Sequence, residues 1–251
     1  DRNNYMKITS TVLALLIGSC AFAQMKFPAV SSHAEVEQKV GLTEFEVEYN
    51  RPNVNGRKVF GKLVPNGEVW RTGANENTVI KFDKPIKVNG QELAAGEYAL
   101  YSIPNKEEWE VIFYKDTKNW GNPKEWKESN IALKVKAPST KSMNKTETFE
   151  IRFTNVTQKS ANLVLAWDNT TVVLDIETNT INEVLKMIGD QLNENSSARD
   201  FYNSANFYYS NKLDRNQALK WVNTALEKDA NAPDYYKAVS YTHLTLPTIC
   251  S

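Results

Sequence analysis

Cysteine and histidine are nearly missing from this chain, whose 251 residues hold two of each: Cys20 and Cys250, His33 and His243. Two cysteines near opposite ends make neither a disulfide framework nor a thiolate metal site. The last residues, SYTHLTLPTICS from Ser240 to Ser251, abandon the helical pattern before them and resemble a translated sequencing adaptor. Without that tail and a cleaved leader, one histidine and no cysteine remain, so HExxH and three-histidine zinc sites are excluded. Any metal would have to be held by carboxylates and carbonyls, and neither a metal nor another cofactor is expected. The G-x-S-x-G, Walker and dinucleotide signatures are absent too. Charge of neither sign prevails: Lys plus Arg and Asp plus Glu stand at 30 each. The charges are interspersed, which argues against a basic surface and so against a nucleic-acid partner.

Long apolar runs are also lacking. The longest stretch near the amino terminus, Val12 to Ile17, falls well short of the roughly 20 residues a membrane-spanning helix needs, so no transmembrane span is expected. With Met6-Lys7 before it and Ala21-Phe22-Ala23 after it, the run reads as an export signal cleaved before Gln24, with residues 1–5 as over-translated leader. The expectation is a periplasmic or secreted protein. Acylation of Cys20, giving a lipid anchor, is the alternative.

From Phe27 to Ile176 the apolar residues alternate or come in short runs. Phe45, Val47 and Tyr49 alternate with Glu44, Glu46 and Glu48, the period of a strand with one buried and one charged face. Further runs follow at 78–82, 86–88, 98–103, 109–114, 131–135, 149–153, 163–167 and 172–176. Residues 24–178 are therefore expected to form a mainly β domain, an antiparallel sandwich or barrel. Asn89-Gly90 is a type I′ hairpin signal, and Asn55-Gly56 and Pro65-Asn66-Gly67 mark tight turns.

After Asp175 the period becomes helical. Ile181, Val184, Leu185, Ile188 and Leu192 follow Thr180, with Glu183 placed to complete a capping box. Helices over about 198–209 and 217–227, the latter behind Asp214, space Tyr202, Ala205 and Tyr209 against Ala218, Val222 and Ala225 as a tetratricopeptide repeat would. Residues 179–239 thus read as a tetratricopeptide-like helical segment, with a plain helical hairpin as the alternative. A further repeat beginning at 234–238 would make the natural protein longer than this chain.

The most unusual composition lies between Arg51 and Asn75, RPNVNGRKVFGKLVPNGEVWRTGAN, where arginines, a tryptophan, amides and glycines surround one short apolar run. Together with Ser32-His33-Ala34-Glu35, Val40-Gly41-Leu42-Thr43, Ala95-Gly96-Glu97-Tyr98 and Asn119-Trp120-Gly121, it resembles domain-of-unknown-function family 2911, a family of secreted bacterial proteins, over roughly residues 28–177. The resemblance implies export and carries no activity.

Within that frame the candidate ligand-binding residues are His33, Arg51, Trp70, Arg71, Thr72, Asn75 and Trp120. Arg51 and Arg71 read either as a clamp for a carboxylate or phosphate or as ties for loop carbonyls. Trp70 and Trp120 read as stacking surfaces or as caps on the core. Trp70-Arg71-Thr72-Gly73 sets an aromatic plane, a guanidinium fork, a hydroxyl and bare backbone side by side. Consecutive strand residues face opposite ways, so Trp70 and Arg71 can share a pocket only if the chain turns there. The first functional expectation is a binding module for a small polar or anionic ligand, with a protein partner on the helical segment. The second is a hydrolase or isomerase acting on a small polar or carbohydrate substrate, with His33 as base and Arg71 and Asn75 as donors. The third is a structural envelope protein.

Overall fold

The computed structural model describes residues 27–229. Nine strands come first: β1 Ser32–Val40, β2 Thr43–Arg51, β3 Thr78–Phe82, β4 Ile86–Val88, β5 Gln91–Leu93, β6 Gly96–Ile103, β7 Glu108–Tyr114, β8 Ile131–Thr154 and β9 Ser160–Thr178. Three helices follow, α1 Thr180–Gln191, α2 Ala198–Ser210 and α3 Arg215–Lys228. The strands make one antiparallel sheet in the order β1-β2-β3-β6-β7-β8-β9-β4-β5.

That sheet folds over on itself because β8 serves both halves. Its first part pairs with β7 up to Pro138, and from Ser139 onward it pairs with β9. Register shifts between Lys141 and Thr146 and between Thr146 and Glu150 are the irregularities that let so long a strand bend. The two halves then face each other as a sandwich. Phe45 of β2 lies 5.3 Å, ring to ring, from Phe153 of β8, and Tyr49 meets Phe149 edge-on at 5.8 Å. The Tyr49 hydroxyl accepts from the Ile151 amide at 3.0 Å and donates to the Ile151 carbonyl at 3.3 Å. Phe45, Val47 and Tyr49 are all buried, as their alternation predicts. A buried side chain of this size contributes roughly 1.5–3 kcal/mol relative to exposure.

The strands differ from the sequence expectation in their divisions. The runs at 131–135 and 149–153 are parts of β8, and those at 163–167 and 172–176 are parts of β9. Strands β1 and β5 carry too few apolar residues to announce themselves. As an edge strand, β1 exposes Glu35, Glu37 and Lys39, charges that discourage pairing with another chain. The hairpin at Asn89-Gly90 joins β4 to β5 with positive φ at both residues, 47° and 77°.

Strands β6 and β7 are buried on both faces. Tyr98 and Leu100 point into the sandwich, whereas Ala99 and Tyr101, with Ile112 and Tyr114 of β7, point outward and gather Val69, Ile103, Trp126 and Ile131 around them. Residues 115–130, after β7, cover this outer face. The Tyr114 hydroxyl accepts from the Lys127 amide at 3.0 Å, and the Tyr101 hydroxyl donates to the Gly121 carbonyl at 3.3 Å.

Helix α1 starts differently from the expected capping box. Its N-cap is Asn179, which makes no side-chain capping bond. Thr180 instead accepts from the Leu42 amide, and Glu183 forms an ion pair with Lys84. Tertiary partners on the sandwich have taken both groups. Helices α2 and α3 pack side by side through Ala205, Ala218 and Val222, with Tyr208 edge-on to Trp221 at 4.7 Å. Ser197 and Asp200 form a complete capping box on α2, and Asp214 caps α3 by accepting from the amides of Asn216 and Gln217. No helix among the described residues is long and apolar enough to cross a membrane.

Candidate functional site

The segment between β2 and β3 closes one end of the sandwich. The Pro52 carbonyl accepts from the Phe149 amide at 2.9 Å and the Val54 amide donates to the Glu147 carbonyl at 2.8 Å, which fastens the segment to β8. Val54, Val59 and Val64 plug the core beneath it. Trp70 then pairs with Ser102 through reciprocal backbone bonds of 2.8 and 2.9 Å, extending the ladder of β6 by one residue.

Immediately afterwards the chain turns. Thr72 has a φ of 53° and Asn75 of 57°, left-handed values that mark the bend. The turn bonds to itself: the Thr78 hydroxyl donates to the Thr72 carbonyl at 2.6 Å, and the Trp70 Nε1 donates to the Gly73 carbonyl at 3.0 Å. Gly73 fits because a Cβ there would stand 3.0 Å from both the Asn50 carbonyl oxygen and the Thr78 hydroxyl.

Strand alternation sends Trp70 into the sandwich and Arg71 toward the outer face. Trp70 stacks on Trp167 at 5.7 Å with 17° between the planes, and its edges meet Phe60, Trp109 and Phe149. Arg71 lies against Gly121, where an added Cβ would sit 3.4 Å from its Nη1. Because the strand ends at the turn, both side chains border a single cleft of about 430 Å³, a size usual for small-molecule sites. Its lining also includes Arg57, Leu63, Val64, Pro65, Glu68, Asn75, Asn122 and Trp167.

Arg71 gives the cleft its electrostatic character. Burial holds its guanidinium below the usual arginine range, an effect partly countered by Tyr101. No ion pair or hydrogen bond from its side chain occurs among the described residues, and its Nε is a buried donor without an acceptor. A second unpartnered buried donor, Trp167 Nε1, belongs to the same lining. Arg57, by contrast, spends Nε on the Val54 carbonyl at 3.0 Å and Nη2 on the Asn53 carbonyl at 2.6 Å. Burial also pushes the Tyr101 phenol well above its usual range, so it remains a neutral donor.

The other candidate residues lie elsewhere. Thr72 is fully buried under the turn, its hydroxyl 2.6 Å from that of Ser102. Arg51 donates its Nε to the Phe149 carbonyl at 2.9 Å, which ties β2 to β8. His33 is exposed on β1 opposite Asn50, and Trp120 is 75% exposed in the segment after β7. None of these four borders the Arg71 cleft. Arg57, Glu68, Asn122 and Trp167 border it without having been singled out in the sequence. Arg57 and Glu68 sit inside the flagged stretch, whereas Trp167 ends an apolar run and reads there as core.

A larger hollow of about 610 Å³ lies along β1, β2 and β3. Within it Lys39 pairs with Glu44 and Lys81 with Glu46, and Asp83 accepts from the Glu44 amide at 2.9 Å. Among the described residues no group of three or more His, Cys, Asp or Glu side chains is placed to hold a metal ion.

Residues 31–176 match the model of a family described as a protein of unknown function, DUF2911. The chain belongs to the DUF2911 family. No curated protein and no solved structure matches it. The DUF2911 segment opens at Ser31, ahead of β1, and closes at Ile176, within β9. It therefore contains the whole cleft, while the three helices lie beyond it.

Proposed function

We propose that the DUF2911 segment is a binding module of an exported envelope protein, and that its ligand is a small polar or anionic molecule held in the cleft between Arg71 and Trp70. The observation that carries the reading is a half-buried guanidinium with no carboxylate partner among the described residues. A desolvated cation without a counter-charge lowers stability, and a fold keeps one where something else supplies the charge. An anion accepting from Arg71 would supply it, and Asn75 and Asn122 at the border offer further polar contacts.

Catalysis fits the cleft less well than binding. Glu68 is the one carboxylate of the lining and no histidine belongs to it, so hydrolysis or isomerisation would rest on a single exposed acid. Export rests on the signal at residues 6–23, which lies outside the described residues. The helical segment is the part available to a protein partner, and its exposed Met187 supports that role.

Thermal-shift titration of the protein with organic acids, sugars and phosphates tests the proposal. A saturable rise in melting temperature that is reduced in Arg71→Lys supports it. A large fall in melting temperature for Arg71→Lys, with no ligand found, leaves Arg71 as a structural residue.

A further inference from the structure

We infer that the ligand of the cleft is a hydroxylated monocarboxylate of the sugar-acid class, an inference that rests on the binding role proposed for the Arg71 cleft. The surface a ligand meets there is mainly polar. Arg57, Glu68 and Asn122 are exposed and Ser31, Arg71 and Asn75 partly so, whereas Val64, Trp70 and Trp167 of the same lining are buried. Among its large apolar side chains only Leu63 is exposed. A ligand that displaced water from such a surface without replacing its hydrogen bonds would lose affinity.

Charge selects the anion. Arg57 and Arg71 contribute two positive charges and Glu68 one negative, leaving a net of one positive charge. A single negative charge balances it, whereas a dianion would leave an excess of negative charge beside Glu68. Arg57 has spent Nε and Nη2 on backbone carbonyls, while no bond from the Arg71 side chain occurs among the described residues. One guanidinium is therefore free, a planar fork that the two oxygens of a carboxylate match. Phosphate sites commonly draw on helix N-termini or on successive backbone N–H groups, and no helix contributes to this lining.

The rest of the lining calls for hydroxyl groups. Glu68 has no partner among the described residues, and an ionised carboxylate only accepts, so a ligand beside it must donate. Asn122 gives its Nδ2 to the Val69 carbonyl at 2.7 Å and Asn75 gives its own to Asn50 Oδ1 at 3.4 Å, which leaves both amide oxygens as further acceptors. A hydroxyl donates to such oxygens and can accept from Ser31 in turn. An alkyl body does neither, and a neutral sugar leaves Arg71 uncompensated. The carboxylate would then sit at Arg71 with its hydroxyls toward Glu68, Asn75 and Asn122.

Isothermal titration of the whole protein with glucuronate and gluconate tests this, beside probes that each lack one feature: glucuronamide the charge, hexanoate the hydroxyls and glucose-6-phosphate the single negative charge. The expected result is saturable binding of the two sugar acids, with each of the other probes weaker by about tenfold or more and a similar loss of glucuronate affinity in Arg71→Lys. Circular dichroism establishes that the variant is folded, and Arg71→Gln replaces it if it is not. Glucuronamide or hexanoate binding as tightly as glucuronate, or glucuronate binding unaffected by the variant, overturns the inference. So does Arg71-dependent binding of glucose-6-phosphate or hexanoate in preference to the sugar acids, and that outcome leaves the cleft a binding site for another anion. Binding of none of the probes overturns the inference and, where the variant is also less stable than wild type, the binding role with it.

Discussion

Leu42, in the turn between β1 and β2, donates its amide to the hydroxyl of Thr180 at 3.0 Å. The first residue of α1 is thereby joined to a hairpin at the start of the sandwich, and Thr180 is itself buried. The neighbouring Gly41 has a φ of 60°, and a Cβ there would collide with the Thr180 side chain and the Gln158 carbonyl oxygen. The helix is thus fixed by a turn whose backbone must stay bare.

Two substitutions probe this joint. Thr180→Val keeps the shape but removes the acceptor of the Leu42 amide, and stability should fall by about 1–3 kcal/mol, the cost of an orphaned donor. Gly41→Ala adds left-handed strain and a collision with backbone, so it should cost more than Thr180→Val. Urea denaturation midpoints of the two variants check the order. A neutral Gly41→Ala would mean that α1 is not held against this turn.

Arg51 is expected to behave as a structural tie. Its Nε donates to the Phe149 carbonyl at 2.9 Å, and it stands outside the Arg71 cleft. Arg51→Lys keeps the charge but loses the planar donor, and should lower stability by about 0.5–1.5 kcal/mol. Affinity for any cleft ligand should stay at the wild-type value. Melting temperature and titration on the same preparation separate the two effects.

The sequence discloses faces better than pairings. Phe45, Val47 and Tyr49 declare the buried side of β2 because alternation is a local property, and Asn89-Gly90 declares its hairpin because left-handed backbone selects those residues. The length of β8 is hidden. Its middle, from Ser139 to Thr148, is largely polar and half exposed, held by partners on β9 that lie far along the chain. The same limit governs the site. Trp70, Arg71 and Asn75 fall in a composition that reads as special, whereas Trp167 reaches the cleft only because β9 is folded back beneath the segment after β2. Thr180 and Glu183 show local and tertiary demands in competition. They have the spacing of a capping box and are claimed instead by Leu42 and Lys84.

The two stacked tryptophans should respond differently to the same change. Trp70 Nε1 donates to the Gly73 carbonyl at 3.0 Å, whereas Trp167 Nε1 is buried without an acceptor among the described residues. Trp70→Phe therefore leaves a buried carbonyl unpaired in addition to its packing loss, and Trp167→Phe removes an unpaired donor. Trp70→Phe should be the more destabilising by about 1–3 kcal/mol. Denaturation curves of the two variants decide the point, and equal losses would show that packing alone sets the cost.

Arg71 should be an expense to the unliganded fold. Burial lowers its pKa, so folding disfavours the charged form, and the penalty is present at every pH below the folded value. Even lowered, an arginine stays charged through the neutral range, so the penalty should be constant from about pH 5 to pH 9. Arg71→Met keeps much of the stem packing and removes the charge. The expected change is neutral or a gain of up to about 1 kcal/mol, kept small because the side chain is half open to solvent. Nearby Tyr101 adds no titration in that window, since burial holds its phenol well above the usual range. Melting temperatures of wild type and Arg71→Met across this pH range provide the measurement. A flat difference near zero or favouring methionine is the signature of a cation kept for a ligand, and a rise induced by an organic acid or phosphate in wild type alone would complete it. A loss of several degrees in Arg71→Met at every pH would instead assign the guanidinium to the fold, through contacts with Gly121 and Tyr101.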